Sequence, residues 1–310
     1  MYFGLTDQAQ ALRDGLREVL ADACTPAVIR AAWDGEPCES LWKTLGEYGV
    51  MGLLADEDQG GLGLDELAFV AAMEECGYAG VPGPLVETVA FAPALGLPLD
   101  GTARLAVGDA RQPVVPYAAI ATHHFDADLG HSLTDVTVEP VATVDRSRQA
   151  GIVTGTPTGE PLVELGMPAR RAMLGTSAFL LGLARRQVDL TVGYLKTRQQ
   201  FGVAIGTFQG LKHPLADAVV GTEFAWPVVL HAAHALATGA PDARLRVAHA
   251  KAAASDSSYQ VSKVCLQAHG AIGYTVEYDL HLFMKRTWAL ASDWGAAADH
   301  RNTIAKELLG

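Results

Sequence analysis

The chain has 310 residues and a mass of 32.7 kDa, and its 49% hydrophobic residues can fill two or three packed layers or small domains. Lys and Arg total 23 against 35 Asp and Glu; the formal net charge of -12 excludes the broad basic surface that a nucleic-acid partner requires. Apolar stretches are broken by Gly, Pro or charge before the roughly 20 residues of a membrane span, and "MYFGLTDQAQALRDGLREVL" reads as a capped amphipathic helix rather than a targeting segment, so a soluble, cytoplasmic globular protein is expected.

In chain order, Thr6 is placed to cap a helix carrying Leu12, Leu16, Val19 and Leu20 at helical spacing, until Pro26 disturbs it. A second helix holds Leu41, Trp42, Leu45 and Tyr48 and stops at Gly49. Glycines 60 to 63 ("GGLG") lack a Walker lysine and a preceding strand, and so predict a structural turn rather than a phosphate loop. Asp65 then starts a helix with Leu67, Val70, Ala71 and Met73 available for burial.

From about Pro93 to Pro168 the texture becomes short β-prone runs such as "ARLAV" and "VTVEPVATV". His123, His124 and His131 fall here without metal-ligand spacing and read as exposed loop histidines. The four cysteines, 24, 38, 76 and 265, form no Cys-x-x-Cys pair and read as buried thiols.

Beyond Met167 long helices return, one with a stripe through Leu180, Ala184, Val188, Thr191 and Leu195, another with Leu245, Ala248, Ala252, Tyr259 and Leu266. Small residues on the second favour close packing in an antiparallel bundle, joined through "LATGAPDARL". Arg198 ends the first stripe and needs an anion, either a bound diphosphate or a carboxylate of the chain itself. Phe201 reads as core by default. Gln267 closes a long helix, and Gly270 and Gly273 either expose bare backbone to a ligand or cap that helix.

Three segments in this order, "LGEYGVMGLLADEDQGGLGLDELAFVAAMEECG", "RQQFGVAIGTFQGLKHPLAD" and "QAHGAIGYTVEY", resemble the acyl-CoA dehydrogenase family over nearly the whole chain. The resemblance implies a mainly α fold with a small β module: an N-terminal helical domain (1–92), a reduced middle β domain (93–168) and a C-terminal four-helix bundle (169–310). It also implies that Arg198, Phe201 and Gln209, completed by Gln267, Gly270 and Gly273, touch the ADP portion of FAD held mainly by a neighbouring subunit.

Two departures from the family pattern stand out. The Thr-Glu-Pro-x-Ala-Gly-Ser-like strand that covers the flavin ring has no counterpart in residues 93 to 168. The carboxylate that removes the substrate's α-proton is also missing: "SDWGAAADHRNTIA" sets Asp293 at the family's tyrosine and Trp294 at its glutamate, and the alternative base position falls on Ala172. Asp293 is a weak substitute from one residue away, Glu277 matches a structural glutamate, and Trp294 is expected to fill the former cavity.

The resemblance extends to heteromeric enzymes of steroid breakdown. It implies a short subunit, inactive alone by its lack of a base, within an α2β2 heterotetramer whose larger subunit supplies the catalytic glutamate. An acyl-CoA substrate and electron-transfer flavoprotein as acceptor follow from the same likeness. A self-sufficient flavoenzyme (a dehydrogenase using Asp293, or a monooxygenase of the same fold) and a cofactor-free structural subunit are the alternatives.

Overall fold

The computed structural model describes residues 4–109, 112–162 and 165–310. Helix α1 (Asp7–Ala23) begins where Thr6 accepts a hydrogen bond from the Ala9 amide at 3.2 Å. Pro26 does more than end that helix: it occupies the first turn of a new one, α2 (Pro26–Trp33), where its missing N–H costs nothing. Helix α3 (Glu39–Glu47) closes at Tyr48, and Gly49 leaves it with φ 87°. The glycine turn is structural: Gly60 has φ 80°, and a Cβ on Gly61 would lie 2.2 Å from the Ala55 carbonyl oxygen.

Asp65 caps α4 (Glu66–Ala79) by accepting from the Leu67 and Ala68 amides at 3.1 Å. Helix α4 is buried almost all round, its acidic residues included. Arg17 reaches Glu75 at 2.5 Å, Arg185 reaches Glu75 at 2.8 Å, and Arg171 reaches Glu66 at 2.8 Å. Helix α5 (Leu85–Leu95) follows and contains Pro93, so the β texture expected from that proline begins later.

The sheet has the order β1 (Leu105–Gly108), β2 (His123–Asp126), β3 (His131–Pro140), β4 (Gly151–Thr158). The β1–β2 pair is parallel and the rest antiparallel. Thr88 ties the sheet to α5, its hydroxyl accepting from the Leu105 amide at 3.0 Å and donating to the Pro84 carbonyl at 2.7 Å. His123 and His124 lie on β2 and His131 opens β3, half-buried rather than on exposed loops. Four residues with two histidines and an aspartate carry no strand pattern; pairing with β1, fifteen or more residues away, makes them one.

Helices α6 (Gly166–Thr197), α7 (Gln209–Ala237), α8 (Ala243–His269) and α9 (Leu280–Leu290) form the bundle, with α10 (Ala297–Leu309) on α8. Helix α6 also joins the two helical halves by lying against α4. An added Cβ on Gly182 would sit 1.9 Å from the Glu74 carbonyl oxygen, and one on Gly77 would sit 2.1 Å from that of Phe179. The buried stripe of α8 runs through Val247, Ala250, Ala254, Ser258, Val261 and Cys265 rather than through Tyr259, which is exposed beneath Lys263. Small side chains take the closest contact, as Ser258 donating to the Leu180 carbonyl at 2.9 Å illustrates, and the aromatic ring is turned out.

The four cysteines are free thiols, three buried and Cys38 half-buried. Among the described residues no helix is long and apolar enough to cross a membrane. Replacing Gly182 by Ala is expected to push α4 and α6 apart and cost about 1–3 kcal/mol in urea denaturation, whereas Gly193→Ala, with open space at its Cβ, leaves stability within about 0.5 kcal/mol or improves it.

Candidate functional site

Arg198 follows the last turn of α6 and leads into a two-strand hairpin, β5 (Gln199–Gln200) and β6 (Val203–Ala204). Its two-residue turn, Phe201–Gly202, has φ of 54° and 79°, the double positive φ of a primed hairpin turn. Glycine takes that conformation freely; phenylalanine does not. Phe201 is nevertheless placed there and is 92% exposed, so it is not a core residue. Its ring meets only the edge of Phe208, at 6.2 Å between centroids. Arg198 is exposed and has no carboxylate partner among the described residues, which removes the intramolecular ion pair as its reason for being there. Gln209, also exposed, is the first residue of α7.

The second motif lies at the same end of the bundle. Tyr194, one turn before Arg198, stacks on His269 with centroids 4.6 Å apart and planes at 18°, and Tyr278 packs on both rings. Gln267 is exposed in the last turn of α8, and Gly270 ends that helix with φ 63° and open space where a Cβ would be. Gly273 differs: it is buried, and its missing side chain admits His269 and Leu266, each 3.0 Å from a built Cβ. Five residues at this end of the bundle thus present solvent-facing groups, namely a guanidinium, an aromatic ring, two carboxamides and one bare helix end. That set fits the ADP half of FAD, a diphosphate joined to a flat base.

The base region is built differently. Asp293 is buried and bound to Arg148 at 2.5 Å, with both side chains 8% exposed. Trp294 follows with φ 56°, its ring stacked on Phe91 at 5.9 Å and its Nε1 donating to Glu87 Oε1 at 3.3 Å. Behind this turn Lys251 donates to the carbonyls of Leu290, Ala291 and Gly295 and to the Ser255 hydroxyl, at 2.9–3.3 Å. A cavity of about 360 Å³ remains, lined by Glu87, Val107, Pro116, Asp293, Trp294 and Gly295 among others. Burial, reinforced by the Asp293 carboxylate, pushes the Glu87 carboxyl up to about 7. Burial pushes Lys251 down to about 8, against the pull of Asp293.

Ala172 is fully buried in α6, and Glu277 is exposed, its carbonyl facing Arg30 at 3.5 Å. Asp293 faces the cavity but is held by a guanidinium, and an indole occupies the neighbouring position. Sequence reasoning missed Glu87, Arg148 and Lys251. For Glu87 and Lys251 the available signal was a charge inside an otherwise apolar or alanine-rich helix, as in "LVETVAFA" and "VAHAKAAAS"; Arg148, on a short polar turn, gave none.

Comparison with known proteins agrees with this architecture. Residues 6–98 match the N-terminal domain of acyl-CoA dehydrogenase and residues 163–309 its C-terminal domain. The chain is 35% identical to acyl-CoA dehydrogenase IpdE2 of Mycobacterium tuberculosis, over 90% of this chain and 91% of that protein. With IpdE2 of Mycolicibacterium smegmatis it shares 30%, over 98% and 100%. Its fold superposes on the ChsE4-ChsE5 complex from Mycobacterium tuberculosis with a TM-score of 0.84 at 22% identity, covering 100% and 99% of the two chains. For butyryl-CoA dehydrogenase from Megasphaera elsdenii the TM-score is 0.86 at 21% identity, with full coverage of both. The chain belongs to the acyl-CoA dehydrogenase family, whose members are FAD-dependent oxidoreductases.

The buried pair sets what can be mutated. Asp293→Asn strands the Arg148 charge and is expected to cost about 3–5 kcal/mol, while the double variant Asp293→Leu with Arg148→Met recovers most of the loss, read from paired urea titrations. Glu87 has a pH signature of its own. The folded chain keeps this proton up to about pH 7, whereas the unfolded chain releases it near 4.5, so the native state binds more protons in that window and stability falls as pH rises through it. Glu87→Gln is expected to match the wild type at pH 4 and to exceed it by on the order of 3 kcal/mol at pH 8, measured by denaturation at both.

Proposed function

We propose that this chain is the short subunit of a heteromeric, FAD-dependent acyl-CoA dehydrogenase, acting in α,β-dehydrogenation of a CoA thioester of steroid origin. Its part is to present Arg198, Phe201, Gln209, Gln267 and the Gly270 helix end to the ADP portion of FAD held mainly by a larger partner. The partner supplies the catalytic glutamate and the flavin-covering β domain. FAD, when bound, would supply the hydride acceptor for the substrate's Cβ; the residues of this chain would bind and orient the cofactor's far end and move no proton of the substrate.

The observation that carries this reading is Phe201. A phenylalanine in a positive-φ turn, almost wholly in solvent and three residues after an arginine with no carboxylate partner among the described residues, is strain and exposure without an internal reason. A ligand shared across a subunit boundary supplies one. The second support is the locked Asp293–Arg148 pair beside Trp294, which commits Asp293 to a partner within the chain and sets an indole where the family resemblance expects the base. The steroid substrate class is what the sequence resemblance implies; a Tcur3481-Tcur3483 steroid ACAD variant shares the fold, at a TM-score of 0.83 and 24% identity, covering 98% of both chains.

Arg198→Ala, co-expressed with the larger subunit, is expected to weaken FAD retention by about 10- to 100-fold, the worth of a charge-assisted hydrogen bond, while the native mass of the assembly is kept. Undiminished FAD content in that variant would contradict the assignment.

A further inference from the structure

A crevice of about 230 Å³ lies where α1, α2, α4, α6 and α9 meet, apart from both regions above. Leu20, Cys24, Ile29 and Phe283 form its apolar wall. Burial pushes the Cys24 thiol up to about 12, so this wall carries no charge.

One edge is cationic. Arg186 lies between the rings of Tyr78 and Phe283, its guanidinium carbon 5.3 and 5.5 Å from their centroids. The neighbouring arginines 13, 17 and 185 are matched to Glu74 and Glu75. Arg186 has no carboxylate within ion-pair distance among the described residues, and its Nε is buried without a hydrogen-bond partner. A guanidinium cannot shed its charge; the rings of Tyr78 and Phe283 and a hydrogen bond with the Tyr78 side chain offset part of the cost of its half-buried place, and no carboxylate among the described residues neutralises it. Glu75 also lines the crevice, but Arg17 and Arg185 hold it at 2.5 and 2.8 Å. Thr25 and Pro26, which also line the crevice, bring the positive end of α2, whose N-cap makes no side-chain hydrogen bond.

We propose that this crevice is a binding site for an aliphatic monocarboxylate, its head on Arg186 with Arg17 alongside and its chain on Leu20, Cys24, Ile29 and Phe283. At ~30 Å³ for each water-sized group, the space suits a chain of roughly six to eight carbons. The site is independent of the cofactor reading, since it shares no residue with it.

Titration of the full-length chain with sodium octanoate, followed by calorimetry and thermal unfolding, is expected to show saturable binding and stabilisation. Octylamine and inorganic phosphate are expected to show neither. Arg186→Gln weakens octanoate binding by about tenfold or more. Ala21→Trp, which narrows the exposed mouth and leaves Arg186 in place, weakens it comparably and decides the matter if Arg186→Gln does not fold. Failure of the native chain to bind octanoate saturably, equal binding of octylamine or phosphate, or unchanged octanoate affinity in a folded variant overturns the proposal.

Discussion

Two buried arginine–aspartate pairs fasten the small β module to the helical body. Arg286 of α9 binds Asp145 and Ser147 and donates to the Val81 carbonyl at 2.9 Å, while Arg148, on the same short turn as Asp145, binds Asp293. All four charged side chains are almost fully buried. Such pairs contribute little net stability over apolar substitutes, but an unmatched member is strongly destabilising, so they specify one docking of turn 145–149 against α9 and residue 293.

That docking decides what the former base region can do. Asp293, held by Arg148, fixes the turn that sets Trp294 at positive φ, and the indole then lies on Phe91 and binds Glu87. Lys251 closes the same turn from behind through three backbone carbonyls. Glu87, Asp293 and Lys251 are thus each held by a partner within the chain. At the other end of the bundle the balance is reversed: Arg198, Phe201, Gln209 and Gln267 face solvent on a framework made rigid by the Tyr194–His269–Tyr278 ring stack. One end is internally satisfied and the other is left open, which is the division expected of a chain that completes a site belonging to another.

Much of the helical frame was legible because its signals are local. Thr6, Asp65 and Gly49 act within one turn of themselves, and the glycines of 60–63 answer to neighbouring backbone. The motif around Arg198 was also readable; taken alone Phe201 reads as core, since composition favours burial of an aromatic ring, whereas the family resemblance implies a cofactor contact, and only the paired strands reveal its positive-φ turn. Strand β2 was missed because its hydrogen bonds come from residues far along the chain. Glu87, Arg148 and Lys251 were missed for a related reason: a charge in the apolar α5 or the alanine-rich α8 marks a problem, Arg148 on its polar turn marks none, and the partners lie 39 to more than 140 residues away.

The central claim is that the open end is completed by a different subunit. Flavin absorbance and native mass of the chain purified alone, and then co-expressed with the larger dehydrogenase subunit, test it most directly. The account predicts FAD only in the mixed assembly. Stoichiometric FAD in the isolated chain would contradict it, since the chain would then build a complete cofactor site from its own copies.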